Sequence, residues 1–404
     1  MAGIAALAAA YVLSQFYRTS LAVLTPALTA ELGATKAQLS AASGVWFVVF
    51  ALMQFAVGVW LDRYGPKRTA SLMLALCAGG GSVLLALAVA PWMVIAAMAL
   101  IGMGCAPILM ASVFIFAKTF SPARLAVLTS WLMAVGMMGN VLGTSPLAAA
   151  AEAFGWRNVM LGIGAATLLV AAAIRAFVRD PAVEHMSVGS AGLKGYLELL
   201  RLRALWPIFP LVALCTAAAA GIRGLWAGPF LADVYGAEAL LIGNVTLFMA
   251  FAMVAGAFVY GPLDTIFGTR KWIAFGGAVM SVVGLVWLAT FPQAGITPTT
   301  VAMVVVGLAG GSYGLLIAHG RAFFPAHLTG RGVTLLNFFS IGGTGVTQLL
   351  AGAVVTAATV PGEPAAAYQV LFASYAIAMT SAALVYLLSR DARPERASVR
   401  LAER

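Results

Sequence analysis

Two arginines, Arg18 and Arg223, stand inside stretches that are otherwise apolar, YVLSQFYRTSLAVLTP and TAAAAGIRGLWAGP. A guanidinium at mid-depth in an apolar helix is costly, so it normally faces a protein cavity or a partner. Acidic partners are scarce. The chain has 13 Asp and Glu, and all lie in loops or near predicted helix ends. Two central cations without anions invite an anionic ligand. Guanidinium suits carboxylate or phosphate because its donors match their oxygens two at a time. Tyr11, Gln15 and Arg18 recur at helical spacing and share one face. Trp226 lies one turn from Arg223, placed to stack on it or on a ligand. Other polar or aromatic candidates at mid-helix are Trp46, Gln54, Trp131, Asn140, Asn244, Tyr313, Asn337 and Gln348.

Other chemistry finds little support. Cys77, Cys105 and Cys215 lie in apolar runs without metal-ligand spacing, so neither a disulfide framework nor a zinc site is expected. Met133 with Met137, and Met249 with Met253, have a spacing that suits soft Cu(I), which keeps copper import as a minor alternative. His319 and His327 fall near the end of the tenth predicted helix and in the loop beyond. No nucleophile–base or metal constellation appears. The chain therefore reads as no enzyme, with no cofactor and no bound metal.

The elements that must position these residues follow from hydropathy. The chain has 404 residues, 62% hydrophobic and 9% charged. Soluble domains carry about 25% charged residues, so this chain belongs in lipid. Apolar runs predict helices over 3–27, 38–61, 69–90, 93–117, 124–149 and 158–178. Six more follow over 206–232, 239–263, 271–292, 298–320, 333–358 and 366–389. The first run suits a transmembrane helix rather than a cleaved signal peptide. The expected organisation is a six-helix bundle over 1–178, a central loop over 179–205, a second bundle over 206–389 and a basic tail over 390–404.

Arg and Lys crowd alternate loops, from Arg63, Lys67 and Arg68 to Arg390 and the tail, while the opposite loops hold Lys36 and Arg157. The positive-inside rule makes the basic side cytoplasmic, with both termini there. This accounts for the formal charge of +10 without a nucleic-acid partner. The halves also repeat. PALTAELG from Pro26 answers PFLADVYG from Pro229, an offset of 203 that recurs for Gly33 and Gly236, Pro122 and Pro325, and Gly139 and Gly342. Odd helices match odd helices, so the halves share orientation, as in parallel repeats about an axis normal to the membrane.

Between the second and third helices stands GVWLDRYGPKRT, and its counterpart YGPLDTIFGTRK runs from Tyr260 to Lys271. This resembles the signature of the major facilitator superfamily. The resemblance implies an all-α fold of twelve transmembrane helices in two pseudo-symmetric six-helix bundles, with the substrate near the midplane between them. It also implies that the loop is a gate formed by Gly58, Asp62, Arg63 and Gly65, with Asp264 in the second copy. Pro66 departs from the basic residue usual there. Met98 stands where proton-coupled drug exporters carry an Arg, which weakens an exporter reading.

Tyr17, Arg18 and Pro26 resemble the organophosphate and organic-anion transporter branch, in which an Arg after an aromatic residue lies eight residues before a Pro. Arg223 lies only six residues before Pro229, a two-residue shift worth about 200° on an ideal helix. Either that helix is broken near Gly221 or Gly224, or Arg223 serves another purpose. The reading is a secondary transporter of the bacterial inner membrane. It moves a small organic anion, a carboxylate or phosphate ester, by alternating access, with a proton or counter-anion as coupling ion. It is taken as a monomer, with Arg18, Arg223, Tyr11, Gln15, Trp226, Tyr313, Asn337 and Trp131 binding substrate. The alternative is proton-coupled efflux of lipophilic compounds.

Overall fold

The computed structural model describes residues 2–180, 194–325 and 328–392. His327 and the tail beyond residue 392 lie outside the described residues, as do positions 181–193 of the central loop. In the first half, α1 spans Ala2–Leu32, α2 Lys36–Tyr64, α3 Pro66–Ala86, α4 Pro91–Thr119 and α6 Trp156–Phe177. Between the last two, α5 runs over Pro122–Leu142 and, after a bend, Ser145–Phe154. In the second half, α7 covers Arg203–Tyr235, α8 Ala239–Phe267, α9 Lys271–Thr290, α10 Ile296–Arg321, α11 Thr329–Ala357 and α12 Pro364–Tyr386.

Ten of these segments are single helices long and apolar enough to cross a membrane, and the α5 pair, bent by 44°, makes an eleventh. The twelfth is α1, which is 31 residues long. Ser14, Gln15, Arg18, Thr19 and Ser20 lower its hydropathy, and most of them are buried against other helices. Its polarity faces protein, as expected of a helix that lines a polar path.

The repeat is visible in the backbone. Gly33 and Gly236 end α1 and α7 in the left-handed region, with φ of 62° and 65°. Gly33 N donates to Thr29 O and Ala34 N to Leu28 O. Gly236 N donates to Ala232 O and Ala237 N to Leu231 O. Both are the same glycine-based C-cap, which satisfies carbonyls the helix leaves open. Gly65 and Gly268 repeat the correspondence after α2 and α8, with φ of 81° and 66°. A side chain at either would be strained.

Within the first half, α1 packs on α5 and α6, α2 on α4, and α3 on α4 and α6. Within the second, α7 packs on α11 and α12, α8 on α10, and α9 on α10 and α12. The halves meet through α2 on α11, α5 on α8 and α1 on α7. One further helix, Lys194–Arg201, lies in the stretch read from sequence as a polar loop. It forms because Tyr196 and Leu199 share a face: Leu199 is buried and Tyr196 packs edge-on against Phe55 of α2 at 5.2 Å. Its length of 8 residues is too short for a hydropathy window to register.

Candidate substrate-binding site

The halves close on each other at the face that carries Leu32 and Lys36, opposite the described ends of the chain. Glycines bring the helices close here. A Cβ on Gly228 of α7 would fall 2.3 Å from Ala22 O of α1. One on Gly345 of α11 would fall 2.8 Å from Val48 N, and one on Gly352 would fall 2.6 Å from Ser40 Cβ. Gly243 of α8 fits against Ser145 of α5 in the same way, and Ser145 donates a 2.8 Å hydrogen bond to Asn244 Oδ1. At the rim, Lys36 pairs with Asp233 of the other half and lies 4.9 Å from the Tyr368 ring centroid. Tyr368 in turn donates to Asp233. Sequence reading missed this pair, because both residues look like ordinary loop charges.

Arg18 and Arg223 lie at the inner end of this closed region. Arg18 sits in an aromatic cradle from α2. Its Cζ is 5.1 Å from the Trp46 ring centroid, 5.3 Å from Phe50 and 6.0 Å from Phe47. Trp46 and Phe50 are stacked at 5.1 Å, which holds the cradle rigid. Such cation–π contacts stabilise a desolvated guanidinium by roughly 0.5–2 kcal/mol each, but they use its face and leave its N–H edge free. Arg18 Nε is buried and has no hydrogen-bond acceptor.

Arg223 is 4% exposed. Its Nη2 donates to Asn140 Oδ1 of α5 at 3.1 Å, while Nε and Nη1 are buried without acceptors. A Cβ on Gly224, next to Arg223, would fall 3.2 Å from the Arg18 carbonyl, so the two cations belong to adjoining turns of α7 and α1. The ion pairs among the described residues are Lys36–Asp233, Arg157–Glu31 and Arg270–Asp264, and neither central Arg belongs to one. A buried donor left unsatisfied costs roughly 1–3 kcal/mol, more when charged. One bond to Asn140 does not offset two such donors.

Part of the misfit of Arg223 has a structural explanation. The helix α7 is not regular: it breaks at Thr216 and then takes a π-helical turn over Ile222–Trp226, which contains Arg223. A π turn holds about one extra residue, which rotates the face it presents. Spacing to Pro229 counted on an ideal helix therefore does not apply.

Other predicted residues gather here. Tyr11 lies two turns before Arg18 on α1, and Tyr313 lies on α10 in the other half. Gln15 donates to the Tyr11 hydroxyl at 2.9 Å, and Tyr313 donates to Asn337 Oδ1 at 2.7 Å. Gly136 of α5 makes room for Tyr11, since a Cβ there would overlap its ring. Trp226 is fully buried and gives its indole N–H to Gln348 at 2.8 Å; it makes no cation–π contact with Arg223 among the described residues. Trp131 stands apart, 69% exposed. Of the Met pairs, Met133 is exposed, whereas Met249 is buried and its carbonyl lies against Gly307 of α10. Phe47, Phe50 and Ser43 were not singled out from sequence, because a phenylalanine or serine in an apolar helix carries no signal of its own.

At the opposite face, Gly58 has open space around it. The side chain of Asp62 lies outside the described residues. Arg63 is exposed, its Cζ 5.3 Å from the Tyr64 ring. Gly65 abuts the Asp180 carboxylate, which accepts from Lys67 N at 2.8 Å. In the second copy, Asp264 is buried and paired with Arg270 at 3.0 Å. His319 is buried among Tyr386, at 2.6 Å, and the Arg390 carbonyl, at 2.9 Å, rather than facing a loop.

Eleven apolar spans with α1 beside them, arranged as two similar halves, are the architecture of a membrane transporter. Residues 7–243 match the Major Facilitator Superfamily, and the chain belongs to that family. It is an integral membrane protein that carries a small molecule by secondary transport with alternating access, and it is not an enzyme. No curated protein matches its sequence. Among solved structures, a bacterial homolog of the human lysosomal transporter Spinster, inward-facing and occupied, superposes with a TM-score of 0.75 at 20% identity, covering 96% of each chain. A point mutant of the nucleoside transporter NupG gives 0.76 at 10% identity, over 96% of this chain and 99% of that one. The inward-open xylose transporter XylE from E. coli gives 0.72 at 12% identity, over 97% of each.

Proposed function

We propose that this transporter carries a small organic anion, a carboxylate or phosphate ester, held between Arg18 and Arg223. The fold is shared with transporters whose names specify a nucleoside and xylose, so the substrate reading rests on side chains alone. The observation that carries it is Arg223, a buried cation with two N–H donors lacking acceptors, on the turn that packs against the Arg18 backbone, with neither Arg in an ion pair among the described residues. An oxyanion between the two guanidinium groups would satisfy the donors. One Arg lies in each half, so the same anion would draw the halves together and make closure depend on substrate.

The excess of Arg and Lys at the face bearing the described chain ends supports a cytoplasmic assignment for it, in a bacterial inner membrane. The state described, closed at the Lys36 face, would then be closed on the outside. A proton or counter-anion as coupling ion and a monomeric carrier complete the reading.

Thermal stabilisation of the purified protein by a ligand panel tests it. A bound anion raises the melting temperature through its affinity for the folded state. Carboxylates or phosphate esters should stabilise, and cationic lipophiles should not. Arg18→Gln and Arg223→Gln should each abolish the anion shift and the corresponding uptake into proteoliposomes while the protein still purifies as a folded species. Unchanged anion uptake in Arg18→Gln would refute the reading.

A further inference from the structure

We infer that Gln348 is a positioning residue that couples closure of the seam between the halves to the placement of the α7 turn bearing Arg223. Gln348 lies on α11 and is fully buried. Its amide orientation is fixed by chemistry. The indole N–H of Trp226 can only donate, so it must meet the amide oxygen, 2.8 Å away. The amide nitrogen then faces two acceptors, Ser43 Oγ of α2 at 3.3 Å and the Gly221 carbonyl of α7 at 3.2 Å. The Tyr375 hydroxyl adds a weaker donor to the oxygen at 3.5 Å. The Gln348 main-chain carbonyl also accepts from Ser40 of α2.

One residue thus touches both halves and both ends of a single short segment. Ser40 and Ser43 belong to the first half, on the helix that forms the glycine seam with α11. Gly221 and Trp226 bracket the π turn, the first just before it and the second as its last residue. Arg223 lies between them. When the seam opens, α2 must leave α11, and Gln348 loses Ser40 and Ser43 together. Only Gly221 and Trp226 of α7, with the weaker Tyr375 contact, then hold the side chain, which is free to turn. Turning it releases Gly221 or Trp226 and frees the segment that aims Arg223. The same amide therefore reads the seam and sets the arginine. This inference concerns the state of the seam and does not depend on the substrate being an anion.

The test uses the full-length protein without ligand. Spin labels on Ala30→Cys and Thr359→Cys, both exposed beside the seam in opposite halves, report its opening by pulsed distance measurement. Gly224→Cys, inside the π turn, reports access to that segment by its rate of reaction with a water-soluble maleimide. Gln348→Leu should raise the long-distance population at least threefold and change the labelling rate at position 224 at least fivefold. Trp226→Phe keeps an aromatic ring but loses the N–H together with the five-membered ring that carries it; it should shift both readouts in the same direction by less. It also serves if Gln348→Leu does not fold. A mere packing role would lower the melting temperature and leave distances and rates at their wild-type values. That result, or an opened seam with an unaltered rate at position 224, would overturn the coupling.

Discussion

Asp391 lies just past α12, and its carboxylate accepts from Thr269 Oγ1 at 2.6 Å, Lys271 N at 3.0 Å and Arg270 N at 3.2 Å. It sits at the N-terminus of α9, where a negative charge is favoured. Burial pushes its pKa up, but these hydrogen bonds together outweigh that and hold it below the usual carboxylate range. The folded value is below the unfolded one, about 3.9. Its contribution is therefore complete above that pH and disappears as pH falls through the folded value. Asp391→Asn should lower stability by about 0.5 kcal/mol at neutral pH, and the gap between variant and wild-type melting temperatures should close below about pH 4. A gap independent of pH would contradict this account. Asp180 plays the corresponding part at the start of α3, through Lys67 N. Neither role was legible in the sequence, because a loop aspartate announces nothing until the chain brings it to a helix end. Arg18 and Arg223 were legible for the opposite reason: a charge in an apolar run has few structural excuses. Lys36 and Asp233 fell between these cases, with ordinary surroundings in sequence and a partner in the other half of the chain.

Among the elements, α7 departs furthest from its sequence pattern. Hydropathy located it, but a run of apolar residues has no signature for a π turn, so the direction of Arg223 could not be derived from its spacing to Pro229. The turn over Ile222–Trp226 has a physical cost, since a π turn interrupts the regular hydrogen-bond ladder, and such turns recur where function requires them. Deleting Ala220, two residues before the turn, allows α7 to recover a regular pitch and rotates one side against the other by about 100°. The variant should insert and fold, while stabilisation by the anions that protect wild type falls at least tenfold in apparent affinity. Retained affinity would mean that the turn does not aim Arg223. By contrast, Gly33 and Gly236 were legible as a matched pair through their offset of 203, although the predicted helices stopped at 27 and 232 and their capping role emerged only in the structure.

At the scale of the whole molecule, the two halves and their seam decide which state is populated. The number of spans, the repeat and the like orientation of the halves followed from hydropathy and the constant offset. The seam did not, since glycine is common in membrane helices and many of these glycines pack within one half: Gly139, for instance, meets Val12 O of α1. Only the three-dimensional pairing separates the two kinds. The clash that a side chain at Gly228 would make with Ala22 O exists only while the halves are closed at the Lys36 face. Overpacking of this kind costs about 1–3 kcal/mol, comparable with the gap between states of a transporter. Gly228→Val should therefore move the Ala30–Thr359 label distances toward the open form at least fivefold without loss of folding. Unmoved distances would show that the seam is not the element in balance.

The polarity of α1 has a consequence for how the protein is made. The insertion machinery judges each segment largely as it emerges, and an arginine at mid-helix counts against entry by roughly 2.5–3.5 kcal/mol. In chain order α1 comes before α2, whose Trp46, Phe47 and Phe50 later cradle its Arg18, and before α5 and α6, which pack along it. Its stable residence in the bilayer is therefore a property of the assembled half and not of the segment itself. The residues that equip this helix to line a path also make the rest of the half its chaperone during biogenesis.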